Sequence, residues 1–378
     1  MKKSNLKVAT IVGTRPEIIR LSSTMKLLDN YLHHIVVHTG QNYDYELNEI
    51  FFSDLELRKP DYFLAVDTSS LGHVLGETLI KSEEILKKEN PDAVLILGDT
   101  NSSIAGIIAK RLRIPIFHME AGNRSFDMNV PEEINRKIID HIADFNLVYT
   151  EHARRHLLSE GLPHRRIYLT GSPMYEVLKD NMQKIDQSAI LNQIGLEKKG
   201  YFMVSTHREE NVDNPEHLKL ILDVLNSLAE SYDLPVIVST HPRTRKRLDL
   251  IEGKDLNNKI QFLKPFGFTD YVHLQMNAVC TISDSGTISE ESAILSFPAI
   301  SIRESMERPE AQDAGTIILS GFDQQVVMDS VKLVIDEQRL NGYKNIPFEY
   351  EIPNTSWRVL KLIMGNARLS NLWWGINK

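Results

Sequence analysis

Short apolar runs rich in β-branched residues alternate with longer amphipathic stretches along this chain, and that alternation constrains its fold more than any other feature. The runs at 7–12, 35–39, 93–97, 114–118 and 145–148 read as buried strands, and helical patterns begin near residues 16, 45, 71, 102, 131 and 151. Strands apolar on both faces, each followed by a helix, make a parallel sheet covered on both sides. After Gly171-Ser172-Pro173 the pattern restarts, with runs at 201–205, 236–240, 260–263, 279–283, 299–302 and 316–319. A chain of 378 residues also exceeds what one core usually supports. The sequence therefore predicts an α/β protein of two doubly wound domains facing a cleft, 1–172 and 173–355, with 356–378 as a separate C-terminal segment.

Composition removes several classes of function. A formal net charge of −8 disfavours a nucleic-acid partner. The one cysteine, Cys280, permits no intramolecular disulfide and fits a reducing cytoplasm; following Val279 inside a predicted strand, it reads as a small buried hydrophobe. No run reaches the roughly 18 apolar residues of a membrane span, and the charged N-terminus leads into a strand rather than a signal peptide. A cytoplasmic protein without membrane insertion is expected. A Cys/His cluster, an HExxH motif and an acidic metal box are all absent from the sequence, so no metal is predicted. The GxxxxGK and GxGxxG patterns are missing too, which argues against a P-loop or an ordinary dinucleotide site.

Ligands of doubly wound sheets bind at the carboxyl ends of the strands, so the loops there are the informative places. In Thr281-Ile282-Ser283-Asp284-Ser285-Gly286-Thr287-Ile288-Ser289-Glu290-Glu291-Ser292 an apolar run breaks and resumes as a helical pattern. The free N–H groups and positive dipole end of such a turn favour a phosphate, and Gly286 leaves room for it. Glu290 or Glu291, one turn later, can face an attached sugar. Asp284 and Ser285 are equally suited to capping the helix. Gly13-Thr14-Arg15-Pro16-Glu17 is a glycine turn with an early helical proline; Arg15 suits a phosphate, and Arg20 lies further along the same helix. Asp99, in Gly98-Asp99-Thr100-Asn101-Ser102, has N-capping as its alternative role. His118-Met119-Glu120-Ala121-Gly122-Asn123-Arg124 crowds an imidazole, a carboxylate and a guanidinium at one strand end. Glu132 and Arg136 share a helix face, as the members of a surface ion pair also would. In the second half His207 and His241 occupy equivalent strand ends, and Arg308 offers a bidentate partner for a diphosphate.

Seven of these motifs occur in an order that resembles one family over nearly the whole chain. Gly13-Thr14-Arg15-Pro16-Glu17, Gly98-Asp99-Thr100, His118-Met119-Glu120-Ala121-Gly122 and Pro131-Glu132-Glu133 with Asn135-Arg136 come first. His207-Arg208 with Glu210-Asn211, Asp284-Ser285-Gly286 with Glu290-Glu291, and Glu307-Arg308-Pro309-Glu310 follow. Together they are similar to the non-hydrolysing UDP-N-acetylglucosamine 2-epimerases. The resemblance implies two Rossmann-like domains of the glycosyltransferase-B type, a homodimer, a UDP-sugar ligand, and a C-terminal helix that crosses back to the first domain, where Trp373 and Trp374 pack. It also implies a reaction. UDP leaves carbon 1 together with the weakly acidic proton of carbon 2, then returns as a proton arrives on the other face. That requires two opposed acid/base groups and no cofactor. Asp99, Glu120 and Glu132 are implied for this work, with His207 assisting the diphosphate. Arg15, Arg20, Arg136, His241, Arg308 and Ser285-Gly286-Thr287 are implied for the UDP-sugar, and Glu291 for the ribose hydroxyls.

Some positions depart from the commoner members. Gln41-Asn42-Tyr43-Asp44 stands where they carry a Gln-His pair at which a further UDP-sugar activates. Asn101-Ser102-Ser103 replaces a threonine run, Asn123 a leucine and Thr287 a second glycine. These variants are similar to the branch that converts UDP-2-acetamido-2,6-dideoxy-L-talose into UDP-N-acetyl-L-fucosamine for capsule or O-antigen synthesis, and that substrate is the expected one. The alternatives are a UDP-N-acetylglucosamine 2-epimerase giving UDP-N-acetylmannosamine, and a UDP-sugar glycosyltransferase.

Overall fold

The structure, a computed structural model, describes residues 3–40, 51–206, 208, 211, 213–240, 242–249, 256–340 and 346–376. Expectations at 41–50, His207, Glu210 and His241 lie outside the described residues. The chain divides into two compact units, Met1–Asp180 with Phe348–Lys378, and Asn181–Pro347. It passes from one to the other within the helix Met174–Asp186.

The first unit is built on β1 (Lys7–Val12), β2 (His33–His38), β3 (Tyr62–Phe63), β4 (Ala93–Leu97), β5 (Ile116–Met119), β6 (Phe145–Val148) and β7 (Ile167–Leu169). These form one seven-stranded sheet in the order β3-β2-β1-β4-β5-β6-β7, with every pair parallel. β1 is an interior strand, matched with β2 from Lys7↔His33 to Val12↔His38 and with β4 from Val8↔Ala93. Ile11, Val37, Ile96 and Ile116 pack with Ile139 of a covering helix in one core. A strand buried on both faces has no use for polar alternation, which is why these runs were legible as continuous apolar stretches.

The second unit repeats that plan with β8 (Phe202–Ser205), β9 (Val236–Ser239), β10 (Ile260–Leu263), β11 (Thr281–Ser283), β12 (Ala299–Ser301) and β13 (Ile318–Leu319). Their order, β10-β9-β8-β11-β12-β13, is the same winding with one strand fewer. Each sheet reverses its direction of growth beside its first strand, between β1 and β4 and between β8 and β11. Those are the places where the following loops diverge and leave room for a ligand.

Several details differ from the sequence expectation. β3 and β7 are short edge strands of two and three residues, too brief to give a run. β2 begins at His33 because His34, polar by type, is buried with its ring between Thr10 Oγ1 and Asp29 Oδ1, both at 2.8 Å. β5 starts only at Ile116, just after Pro115, which has no N–H for a ladder. Cys280 is buried as expected but sits just before β11.

The C-terminal helix Thr355–Asn366 belongs to the first unit. Thr355 Oγ1 donates to the Thr170 and Ser172 carbonyls at 3.1 and 3.2 Å, and the Trp357 ring meets Tyr31 edge-on at 5.3 Å. Trp374 donates from Nε1 to Asp144 at 2.8 Å and lies 3.7 Å beneath the Arg166 guanidinium. Among the described residues no helix is long and apolar enough to cross a membrane, and no group of three His, Cys, Asp or Glu side chains could hold a metal ion.

Candidate active site

At the switch point of the first unit the loops after β1 and β4 are joined by one buried carboxylate, Glu17. Thr14 opens the helix Arg15–Tyr31 as its N-cap, and Glu17 reaches back over the first turn. Its Oε2 accepts from the backbone of Gly13 at 2.9 Å, the backbone of Thr14 at 2.7 Å and the Thr14 hydroxyl at 2.9 Å. Its other oxygen accepts from Ser102 Oγ in the loop after β4. Burial pushes this carboxyl above its ordinary range, even though all four hydrogen bonds favour the ionised form.

Asp99 and Glu120 follow the adjacent strands β4 and β5, and each is met by an arginine. Arg136 Nη2 pairs with Asp99, while its Nη1 lies 3.1 Å from the fully buried Glu133. Asn135 donates to the Asp99 carbonyl at 3.0 Å and to Asn101 Oδ1 at 3.1 Å, which ties the β4 loop to the helix Pro131–Ile142. Arg20, buried on the first helix, pairs with Glu120. The Glu120 backbone is left-handed, with φ of 62°. Gly98, just after β4 and at φ +69°, leaves space beside that carboxylate: a Cβ there would lie 3.7 Å from Glu120 Oε2. Arg15 lies with its guanidinium 5.6 Å from the Phe51 ring centroid.

At the second switch point the turn after β11 is organised by Asp284, which is fully buried. Its carboxylate accepts from Arg208 N at 3.0 Å and Asn211 Nδ2 at 2.9 Å, and its carbonyl from Arg208 Nε at 2.9 Å. Asp284 therefore does not cap the helix, which begins later, at Ile288–Leu295, with Thr287 as N-cap. Ser285 and Thr287 hydroxyls bond each other at 2.9 Å across Gly286. Arg308 crosses from the last loop to donate to the Gly286 carbonyl at 2.6 Å and to pair with Glu290. Glu291 is held from Gln275 Nε2 at 2.9 Å. Burial pushes the nearby Tyr271 hydroxyl well above its usual range, and Glu291 adds to this while hydrogen bonds to Ser205 and Ser283 oppose it.

This arrangement can be set against known proteins. The sequence profile described as UDP-N-acetylglucosamine 2-epimerase matches residues 26–364. The chain belongs to the UDP-N-acetylglucosamine 2-epimerase family. Within that family it is similar to the structure of a UDP-N-acetylglucosamine 2-epimerase from Rickettsia bellii, with 49% identity and a TM-score of 0.90 over 98% of this chain and 100% of that one. The Methanocaldococcus jannaschii enzyme in complex with UDP-GlcNAc and UDP is 35% identical, with a TM-score of 0.89 over 96% and 100%. A UDP-2,3-diacetamido-2,3-dideoxy-D-glucuronate 2-epimerase from Pseudomonas aeruginosa is 34% identical over 89% of this chain and 96% of its own. The family is one of isomerases, and its fold is the two-domain glycosyltransferase-B type.

In this epimerase-family chain the sequence-predicted residues fall into two groups. Asp99, Glu120, Arg20 and Arg136 gather at the first switch point; Ser285, Gly286, Thr287, Glu291 and Arg308 gather at the second. Glu132 lies exposed on the first turn of its helix, and Arg136 meets Asp99 and Glu133. Sequence reasoning assigned no task to Glu17 beyond its place in the glycine turn. It also missed Glu133, Asp140 and the Arg303–Glu307 pair, whose bidentate contacts of 2.9 and 2.8 Å stand beside Arg208. An acidic residue three positions into a helix, as Glu17 is, was the one usable signal among them.

Proposed function

We propose that this chain is a non-hydrolysing 2-epimerase that inverts carbon 2 of UDP-2-acetamido-2,6-dideoxy-L-talose to give UDP-N-acetyl-L-fucosamine, for capsule or O-antigen synthesis in the cytoplasm. The observation that carries the epimerase reading is the pair of arginine-held carboxylates, Asp99 and Glu120, at the ends of neighbouring strands. Carbon 2 is too weak an acid for simple deprotonation, so UDP departs from carbon 1 as the proton is removed and returns after reprotonation from the other side. One carboxylate must take the proton and an acid must give one back, and both have to be fixed in direction. An arginine partner fixes a carboxylate through a directional, charge-assisted contact. Glu132 is the third candidate for this work, and His207 assists departure of the diphosphate.

Holding the departed UDP in place is what makes the return possible. Arg15, Arg136, His241, Arg308 and the Ser285-Gly286-Thr287 turn serve that purpose in this reading, with Glu291 on the ribose. Arg20 orients Glu120 as well as meeting the sugar nucleotide. The chain works as a homodimer. The L-talose substrate is supported by the substitutions in the site loops. Asn101 and Ser102, which replace the family's threonine run, bond Asn135 and Glu17, so the change lies in the lining of the site itself.

The similar UDP-N-acetylglucosamine 2-epimerases from Rickettsia bellii and Methanocaldococcus jannaschii favour a second reading, UDP-N-acetylglucosamine as substrate. Proton NMR in heavy water, with each UDP-sugar supplied separately, decides between them. The proposal expects deuterium at carbon 2 and a new L-fuco isomer from the L-talose compound alone. Exchange with UDP-N-acetylglucosamine alone assigns the chain to the second reading, and exchange with neither rejects both.

A further inference from the structure

We propose that Asp140 is a positioning residue for Glu120, holding the strained backbone on which that carboxylate is mounted. The inference rests on the reading of Glu120 as an acid/base group. A non-glycine residue with φ near +60° costs on the order of 1–2 kcal/mol and persists only where its surroundings over-determine it. Glu120, at φ 62°, is such a residue, and the groups that constrain it lie two positions before and two after.

Both converge on Asp140. The Gly122 amide donates to the Asp140 oxygens at 3.2 and 3.1 Å. His118 Nδ1 stands 2.9 Å from Asp140 Oδ1, close enough for an ion pair though without the straight line of a good hydrogen bond. The other nitrogen of that ring donates to the Gly98 carbonyl at 2.8 Å, next to Asp99. Arg124 Nη1 closes the cluster on Asp140 Oδ2 at 2.6 Å, while Nε and Nη2 of the same guanidinium donate to Glu160 at 2.8 and 2.7 Å. Burial alone would raise the Asp140 carboxyl; His118 and Arg124 overcome it and hold the group below its ordinary range.

Asp140 lies four residues after Arg136 on the helix Pro131–Ile142, so both project from one side of it. That helix thereby sets both carboxylates: Arg136 orients the Asp99 side chain, and Asp140 fixes the backbone under Glu120. Asp140 is fully buried, which also suits a purely structural counter-ion for Arg124. The two roles differ in what a conservative change does to turnover.

The test compares Asp140→Asn, His118→Gln and the double variant with the wild-type protein. Asparagine keeps one acceptor oxygen and turns the other into an NH2 donor, which removes the charge that faces Arg124 and His118. Glutamine at 118 retains reach to the Gly98 carbonyl and drops the contact with Asp140. Each single variant is expected to lose about ten- to a hundredfold in kcat, read as deuterium entering carbon 2, with UDP affinity within about twofold of wild type. The double variant is expected to be no slower than the slower single one, because both act through one backbone. The Gly122 amide should exchange its hydrogen about tenfold faster or more in Asp140→Asn, a readout independent of any activity.

Folded variants with wild-type kcat overturn the proposal, as do additive losses, a parallel loss of UDP affinity, or unchanged Gly122 exchange. If Asp140→Asn fails to fold, His118→Gln carries the same test alone. A wild-type protein that exchanges nothing at carbon 2, or a Glu120→Gln variant with full turnover, rejects the acid/base reading instead; accelerated Gly122 exchange would then still establish the structural half.

Discussion

The two units share a winding and differ in what their switch points are made of. In the first, two arginine-held carboxylates are mounted on buried acids: Asp99 and Glu120 are met by Arg136 and Arg20, while Glu17 and Asp140 stitch the loops beneath them. In the second, the turn after β11 is lined with hydroxyls and backbone groups and braced by arginines, with Arg208 on Asp284, Arg303 on Glu307 and Arg308 on Glu290. A repeated scaffold fixes where a ligand can sit, and the loops decide whether that place handles protons or anions. In the proposed function proton transfer falls to the first unit and most of the diphosphate binding to the second, and that division can be broken at several points.

The largest effect is expected at Asp99. Asp99→Asn should reduce turnover by about 10²-fold or more while UDP affinity stays close to wild type. Steady-state kinetics with calorimetric UDP binding measures both, and a matched loss of each would make Asp99 a binding residue of the kind assigned to the second unit. Arg308→Ala should do the reverse, weakening UDP binding by about tenfold or more with a smaller change in kcat. Unchanged affinity would remove Arg308 from the diphosphate site.

A pair of glycine substitutions compares the strain stored in the two turns. Gly122 has φ +81°, and a Cβ there would lie 2.4 Å from the Ala153 carbonyl oxygen; at Gly286 the nearest atom would be Arg208 Nη2 at 3.7 Å. Gly122→Ala should cost about 2 kcal/mol or more and Gly286→Ala less than about 1 kcal/mol, read from denaturant unfolding. Equal costs would contradict the idea that only the first turn is held under strain.

The smallest effect is a pH dependence at the edge of the Asp140 cluster. The hydrogen bonds from Arg124 draw the Glu160 carboxyl from 4.5 down to about 2, with His141 contributing and partial burial opposing. A depressed carboxyl stabilises the fold above its unfolded value and loses that contribution as pH falls through its folded one. The difference in melting temperature between wild type and Glu160→Gln should therefore be fully present above pH 4.5 and close as pH falls towards about 2. A difference that stays constant across that window would remove the Arg124 contact as its cause.

Much of this was legible in the sequence, for physical reasons that also mark where reading stopped. Strands buried on both faces betray themselves as apolar runs, so β1, β4, β6 and β10 were located to the residue. Edge strands of two or three residues carry no such signal. Loops at strand ends advertised Asp99, Glu120 and Arg308 because charged residues there need a reason. Helical neighbours were harder: one position along a helix turns a side chain by about 100°, so Glu132 and Glu133 look alike in sequence yet one is exposed and the other buried. Asp140 and Glu17 read as ordinary polar positions of amphipathic helices, because their importance lies in partners far along the chain.

The most direct test of the division between the units is solvent deuterium entering carbon 2 in Glu120→Gln, with UDP affinity measured on the same preparation. The account predicts exchange slowed by about 10²-fold or more and UDP bound as in the wild-type protein. Exchange at the wild-type rate, or a loss of UDP binding as large as the loss of exchange, would contradict it.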